Sequence, residues 1–271
     1  MTHKTIINGT VYEVIGGKCL VNGTSYDIKK GRTLIGGTGY DITFGPVMPV
    51  KGDLITMNLD GTSRLYRVLS VNGNVCKVLG MWDDFTSKYN ETSTTTTFGS
   101  ITAQKYEGST LDTYLNTTWY NTLSTEAKNA IVPENVVQYC YKHYDAPNTP
   151  NTPTYTYQYQ YNWSDSDYDN ADNVGNVTVG DRNVFALDLK DIFDYFGKVY
   201  ITSNELMILF FNQTTQVSKF LWLRSSDADY SSRAWDVGGD SGYLRSDGVR
   251  GSSVVRPALN LDMSKIQYTL V

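Results

Sequence analysis

An α+β fold that follows a small β-rich repeat segment is predicted by three features of this 271-residue chain. Tandem repeats fill the first fifty residues, and the remainder has strand-like apolar runs toward both ends with helical patterns between them. A long polar segment separates the last two strand-like runs. This order of elements is typical of α+β domains. We therefore divide the chain into a repeat segment, residues 1–50, and one folded domain, residues 51–271.

The repeat segment contains three copies of a 14-residue unit, which begin at Gly9, Gly23 and Gly37. Each unit has a strand-like half, a glycine turn and a second short strand, so the pattern predicts a ladder of hairpins. One unit is too small to bury its own face, and the copies must therefore stack on each other or on neighbouring chains. We interpret the segment as an attachment or oligomerisation module. The alternative is a β-rich extension that caps the main domain.

Local patterns predict a hairpin and two helices in the first half of the domain. Two apolar runs flank Asn-Gly-Asn at residues 72–74, which is a strong hairpin pattern. A Thr- and Ser-rich connection follows over residues 84–108. A helix is expected from Ser109, whose hydroxyl can cap it, and a second short helix over residues 124–131.

Further along the chain, the apolar residues 184–187 predict a buried strand. Asp188 is expected to cap a helix that runs to Phe196. Two more short apolar runs, residues 220–223 and 254–259, have the pattern of buried strands and enclose the polar segment.

The polar segment consists mainly of Ser, Asp, Gly, Arg and Tyr, with few aliphatic residues. Tyr230, Trp235 and Tyr243 offer large, stiff contact area, and the small polar residues offer adaptable hydrogen bonds. Loops this long are usually functional or disordered, and the spaced apolar residues argue against disorder. We interpret residues 226–254 as a binding surface. The alternative is a solvated, turn-rich loop without a ligand.

Composition excludes several classes of protein. The net charge of −5 gives no basic surface for a nucleic-acid backbone. Cys19, Cys76 and Cys140 lack metal-ligand spacing and allow at most one disulfide. No apolar run is long enough to span a membrane, and we see no secretory signal. If the protein acts outside a cell, we expect it to leave by another route, such as inside a virus particle that lysis releases.

Catalysis is not expected from this sequence. His3 and His143 are the only histidines, and no nucleophile-elbow, phosphate-loop or zinc-protease motif occurs. We expect no cofactor, although four aspartates around Trp163 give an oxygen-rich spacing that calcium could use. They lack the Gly and the terminal Glu of a helix–loop–helix calcium site, so solvated turns are the favoured interpretation for Asp165, Asp167, Asp169 and Asp172.

Four stretches of the domain resemble the formylglycine-generating-enzyme-like branch of the C-type lectin fold. They are residues 114–116 with Trp119 and Tyr120, residues 184–187, residues 222–225 (Trp-Leu-Arg-Ser) and residues 255–259 (Val-Arg-Pro-Ala-Leu). Within that branch the chain is most similar to the variable proteins of diversity-generating retroelements and to their relatives in bacteriophages of gut bacteria. The resemblance covers roughly residues 52–271, and the repeats are similar to N-terminal segments of phage tail-associated proteins.

The resemblance implies a C-type lectin-like domain whose polar stretch before the closing motif is a ligand-binding surface. In that family the stretch is rewritten by adenine-specific mutagenesis on a fixed scaffold. It implies a non-catalytic host-recognition protein, because the cysteine pair of the formylglycine-generating enzymes has no counterpart after Cys140. The ligand-binding residues so predicted are Asp229, Tyr230, Ser231, Ser232, Trp235, Asp236, Gly239, Asp240, Ser241, Tyr243, Arg245, Ser246, Asp247, Arg250 and Ser253.

The expected partners are a protein or glycan receptor on a host cell surface and, through the repeats, phage tail components. A homo-oligomer such as a trimer is expected, without nucleic-acid binding or membrane insertion. A carbohydrate-binding lectin of fixed specificity is the main alternative, and its binding would depend on Ca²⁺. A purely structural tail component is a third interpretation, which the Tyr- and Trp-bearing segment disfavours.

The composition of the polar segment agrees with adenine mutagenesis. Asparagine codons begin with two adenines, and randomising these yields mostly the residue types found here. No Asn occurs between Asn212 and Asn260, although the chain is otherwise rich in Asn. A diversified copy of an Asn-rich template would have this composition, and so would turns assembled by chance.

Overall fold

The computed structural model describes residues 48–141, 175–197, 204–211, 220–238 and 244–271 in full. It also describes the backbone of residue 203 and of six strands in the first 43 residues. The chain divides into two compact units, Met1–Met48 and Pro49–Val271.

The first unit contains three two-stranded antiparallel sheets, and the predicted hairpins are therefore present. The predicted boundaries within each repeat need correction, because the strands pair across the start of a unit rather than inside it. The innermost described pairs are Ile7↔Thr10, Val21↔Thr24 and Ile35↔Thr38. The strands are β1 (His3–Ile7), β2 (Thr10–Val14), β3 (Lys18–Val21), β4 (Thr24–Asp27), β5 (Lys30–Ile35) and β6 (Thr38–Thr43).

A five-stranded antiparallel sheet joins the beginning of the second unit to the end of the chain. Its strand order is β19-β9-β8-β7-β20, and the strands are β7 (Leu54–Asn58), β8 (Ser63–Asn72), β9 (Val75–Gly80), β19 (Ala258–Asp262) and β20 (Tyr268–Leu270). The predicted hairpin at residues 72–74 is confirmed, and Gly73 supplies the positive φ of +58° that its turn needs.

A seven-stranded sheet carries the polar segment. Its main path is β10-β18-β15-β13-β14, and β16 and β17 extend it from β15. The strands are β10 (Thr86–Lys88), β13 (Glu134–Tyr141), β14 (Asn176–Arg182), β15 (Phe220–Asp227), β16 (Arg233–Gly238), β17 (Leu244–Gly248) and β18 (Ser252–Val254). The polar segment is therefore largely strand, whereas the sequence predicted a long loop.

The predicted Thr- and Ser-rich connection also contains strands. Besides β10, it forms the hairpin of β11 (Thr95–Phe98) and β12 (Ile101–Gln104). Phe98 and Ala103 of this hairpin form a buried cluster with Cys140. The connection is structured because one face of the hairpin covers this apolar cluster while its threonines face outward.

Helices occupy the middle of the domain, the predicted caps at Ser109 and Asp188 are confirmed, and Ser124 supplies a further cap. The side chains of Ser109, Ser124 and Asp188 each accept a backbone hydrogen bond at the first turn. The helix from Ser109 changes to π geometry over Tyr114–Trp119. The helices are α1 (Thr110–Thr113), the π segment, α2 (Tyr120–Thr122), α3 (Thr125–Ala130), α4 (Leu189–Phe196) and α5 (Ser203–Phe211).

Residues 184–187 are buried as predicted, but the prediction of a strand there was wrong. Phe185 makes a single bridge to Ala258, the Leu187 carbonyl accepts from the Arg224 amide, and the backbone groups of Val184 and Ala186 bond to side chains. The Val184 amide donates to Asn116, and the Ala186 carbonyl accepts from Arg224. Their backbone groups are therefore satisfied without a ladder.

The second unit is a mixed structure of mostly β-sheet with a few short helices, which fits the predicted α+β class. Within the described residues, no helix is long and apolar enough to cross a membrane.

Candidate functional site

Two exposed turns at one end of the β16–β17 hairpin form the surface that we call the turn surface. It comprises residues 229–233, which lead from β15 into the first residue of β16, and residues 247–252, which lead from the end of β17 into β18. Most of its residues are exposed, and Tyr230 is the most prominent of them, with 52% of its area accessible. Val249 is buried and attaches the second turn to the domain.

Backbone hydrogen bonds fix the two turns against each other. The Val249 amide donates to the Ser232 carbonyl at 3.1 Å, which joins one turn to the other. Within the turns, the Arg233 amide donates to the Tyr230 carbonyl, and the Gly251 amide donates to the Gly248 carbonyl, both at 2.9 Å. The turn surface is therefore an ordered part of the sheet end.

The buried carboxylate of Asp227 fixes the conformation of the first turn through hydrogen bonds. It accepts hydrogen bonds from the amides of Asp229 at 2.8 Å and Tyr230 at 3.3 Å, and from the hydroxyl of Ser246. Asp227 is 0% exposed, so these bonds are shielded from water. The carboxylate thus ties the exposed turn to the buried side of β17.

Tyr230 and Arg233 form the centre of the first turn. The guanidinium carbon of Arg233 lies 4.6 Å from the centroid of the Tyr230 ring, within the range of a cation–π contact. Tyrosine and arginine are enriched among residues that dominate binding energies. The pair therefore offers a large planar contact area next to a fixed positive charge.

Four predicted binding residues are buried and do not belong to the exposed surface. Trp235 and Asp236 are 0% exposed, and Ser246 and Ser253 are 9% and 6% exposed. The Trp235 indole donates to the Tyr141 carbonyl at 3.3 Å, and so it holds the hairpin against β13. Trp235 and Asp236 are consecutive residues of a strand and point to opposite faces, so their burial shows that both faces of β16 are covered.

Asp236 forms a polar cluster with Arg245 on the neighbouring strand. The Arg245 Nε donates to Asp236 at 2.8 Å, its Nη2 reaches Asp247 at 3.1 Å, and its guanidinium lies over the Phe220 ring. Burial raises the pKa of Asp236 to about 7, although Arg245 opposes that rise. Arg245 is only partly exposed, because it covers these groups.

The motif arginines on either side of the polar segment belong to the interior. Arg224 donates to the carbonyls of Val137 at 2.9 Å and Ala186 at 2.7 Å, and pairs with Asp191 at 2.6 Å. Burial alone would raise the pKa of Asp191, but Arg224 and Lys77 outweigh it and lower that pKa. Arg224 therefore links β15, β13 and the start of α4.

A loop that the sequence did not single out lies against the turn surface. Residues 91–95, Glu-Thr-Ser-Thr-Thr, are all exposed, and we call them the threonine loop. The amide of Asn90, just before it, donates to the Val249 carbonyl at 2.9 Å. The Gln104 side chain donates both to Ser93 and to the Ser231 carbonyl. These contacts join residues far apart in sequence, so no local pattern could have indicated them.

The structure brings six of the predicted binding residues together on the turn surface and leaves Arg245 at its side. The six are Asp229, Tyr230, Ser231, Ser232, Asp247 and Arg250. Gly239, Asp240, Ser241 and Tyr243 lie outside the described residues, as do the calcium candidates Asp165, Asp167, Asp169 and Asp172. Among the residues that are described, no group of three or more His, Cys, Asp or Glu side chains could hold a metal ion.

The fold and the turn surface together define an α+β domain in which exposed polar turns lie on buried residues. We call the buried residues that hold the turns in place the frame. The chain belongs to the family described as "Domain of unknown function (DUF6273)", whose model matches residues 86–263. The match includes the threonine loop and both turns of the turn surface. No curated protein and no solved structure matched the chain.

Proposed function

We propose that this protein is a non-catalytic ligand-binding protein whose turn surface contacts a receptor on a host cell. In this proposal it is a phage or prophage virion component for host recognition, and a retroelement diversifies its C-terminal surface. The observation that carries the proposal is the division of the polar segment into exposed turns and a buried frame. Six exposed predicted residues share one surface, while Trp235 and Asp227 hold it from inside.

The proposal includes the finer assignment of the fold, a C-type lectin-like domain of the formylglycine-generating-enzyme-like branch. The positions of the motif residues support it. Arg224 is buried and bonds three elements, and Arg256 is buried and bonds the Phe210 carbonyl and Asp83. Such buried arginines stabilise the frame, and the frame must stay unchanged while the exposed surface varies.

The three N-terminal hairpins are proposed to attach the protein to a phage tail or to other copies of itself. Two-stranded hairpins are marginal alone and present unpaired edges, so pairing with further chains would stabilise them. Display of several copies would raise apparent affinity by about 10²–10⁴ even if one site binds modestly.

Sequencing the gene in a phage population tests the diversification. We expect a near-copy of the DNA for the variable region, residues 226–254, beside a reverse transcriptase, with differences at adenines only. Variation should concentrate in the codons of the two turns and spare those of Arg224 and Arg256. Variation spread evenly over the domain, or no near-copy, would contradict the retroelement part of the proposal.

Binding of the fluorescent full-length protein to a panel of intact gut bacteria tests the surface. We expect Tyr230→Ala and Arg250→Ala to weaken binding to a responsive strain by about tenfold each, since contacts of this kind contribute more than 1 kcal/mol. The control is Lys265→Ala, an exposed cation outside the turn surface. Equal binding by all three variants would contradict the assignment of the site.

A further inference from the structure

We propose that the threonine loop is a fixed second part of the binding surface, and that the composite surface takes a neutral, hydroxyl-rich glycan chain. This inference rests on the proposed function and names the ligand class of the same site. It adds residues 91–95, which lie outside the predicted variable region.

The loop and the two turns form one continuous structure. The three segments are joined in a closed cycle. Asn90 bonds Val249, Val249 bonds Ser232, and Gln104 bridges Ser93 to Ser231. Gln104 is itself 0% exposed, so the bridge lies beneath the surface. A ligand that lies across the turns therefore meets the loop as well.

The loop is held in place independently of any ligand. The Glu91 amide donates to the Thr110 hydroxyl at 2.9 Å, and the Lys105 amide donates to the Thr94 carbonyl at 2.8 Å. The Asn90 side chain donates to the Thr94 hydroxyl at 3.0 Å. A loop fixed in this way loses little entropy when a ligand binds.

The composite surface carries balanced charge. On the turns, Asp229 and Asp247 balance Arg233 and Arg250. Beside the loop, Glu91 pairs with Lys88 at 2.7 Å. A surface without net charge gives no long-range attraction to a phosphate backbone or an anionic polymer, and so it favours a neutral partner.

The exposed side chains are those that hydrogen-bond hydroxyl groups. The loop and turns offer Thr and Ser hydroxyls, which donate and accept, with carboxylates and guanidinium groups beside them. Among the described residues, Tyr230 is the only large apolar side chain exposed on this surface. Protein-binding hot spots are poor in Ser and Thr and rich in clustered aromatic residues. One ring among many hydroxyls instead suits a sugar chain, whose apolar face can stack on Tyr230.

The test uses the full-length protein and fixed cells of a gut-bacterial strain that it binds. Cells are used untreated, after protease treatment, and after periodate treatment, which cleaves vicinal diols of glycans. We expect binding to survive protease, to be lost after periodate, and to change less than about twofold between about 50 and 500 mM NaCl. The variant Glu91→Gln/Thr92→Ala should bind about tenfold more weakly, because it replaces the Glu91 carboxylate, a strong acceptor, by a neutral amide and removes the Thr92 hydroxyl.

A matched control replaces Thr125 and Glu126, which are exposed at the start of α3, by Ala and Gln. Protease-sensitive binding that still requires Tyr230 would overturn the glycan inference and leave the proposed function standing. Unchanged binding by Glu91→Gln/Thr92→Ala would overturn the role of the loop. Binding that is indifferent to Tyr230→Ala would instead contradict the proposed function itself.

Discussion

Replacing Trp235 by alanine tests whether this buried residue stabilises the domain without belonging to the exposed surface. Trp235 is 0% exposed, and its indole donates to the Tyr141 carbonyl. A buried aromatic side chain removes about 150–250 Å² from water, and its truncation leaves a cavity, so the expected loss of stability is about 3–5 kcal/mol. At about 2–4 °C per kcal/mol for a domain of this size, the midpoint of thermal unfolding should fall by about 6–20 °C.

Thermal unfolding followed by circular dichroism measures this loss, and Tyr230→Ala provides the contrast. Tyr230 is 52% exposed, so its replacement should change stability by less than about 0.5 kcal/mol. The unfolding midpoint of Trp235→Phe, which keeps a buried ring, should lie between the midpoints of the two alanine variants. If Trp235→Ala and Tyr230→Ala lowered the midpoint equally, the division into buried frame and exposed turns would be refuted.

Three further predictions concern the frame, its pH dependence and the two units. Arg224→Met should destabilise the protein by about 3–5 kcal/mol because Asp191 loses its buried partner, and Arg224→Met/Asp191→Asn should recover part of that loss in urea unfolding. The raised pKa of Asp236, about 7, means that the folded state keeps a proton that the unfolded chain releases above about pH 4. The stability of the wild type relative to Asp236→Asn should therefore fall by up to about 4 kcal/mol from pH 4 to pH 8, and a flat difference would contradict the burial of Asp236. Deleting residues 1–48 should leave a cooperatively unfolding domain, because the second unit forms its own sheets and core; a truncated chain without near-ultraviolet circular dichroism would show the opposite.

Features set by neighbouring residues could be predicted from the sequence. The caps at Ser109, Ser124 and Asp188 and the hairpin at Gly73 depend on residues within a few positions, and all are present. Residues 184–187 show the limit of such patterns. Their hydrophobicity correctly predicted burial, but the partners of their backbone groups are side chains and main-chain groups far away in the sequence.

The candidate site could be predicted only in part, for the same reason. The turns were found because their composition is unusual, but the strands of the polar segment were missed. Asp236 and Ser246 face the interior, although polar residues in an alternating strand normally mark the solvent side. The threonine loop could not be found locally, because the bond from Gln104 to Ser231 joins residues 127 positions apart.

The bonds that unite the turns with each other and with Asn90 run between main-chain groups. Every residue except proline supplies these groups, so they survive whatever side chain a mutation installs. If the turn surface is diversified as proposed, new specificities can therefore arise at these positions with little penalty in folding, and the variants remain well folded.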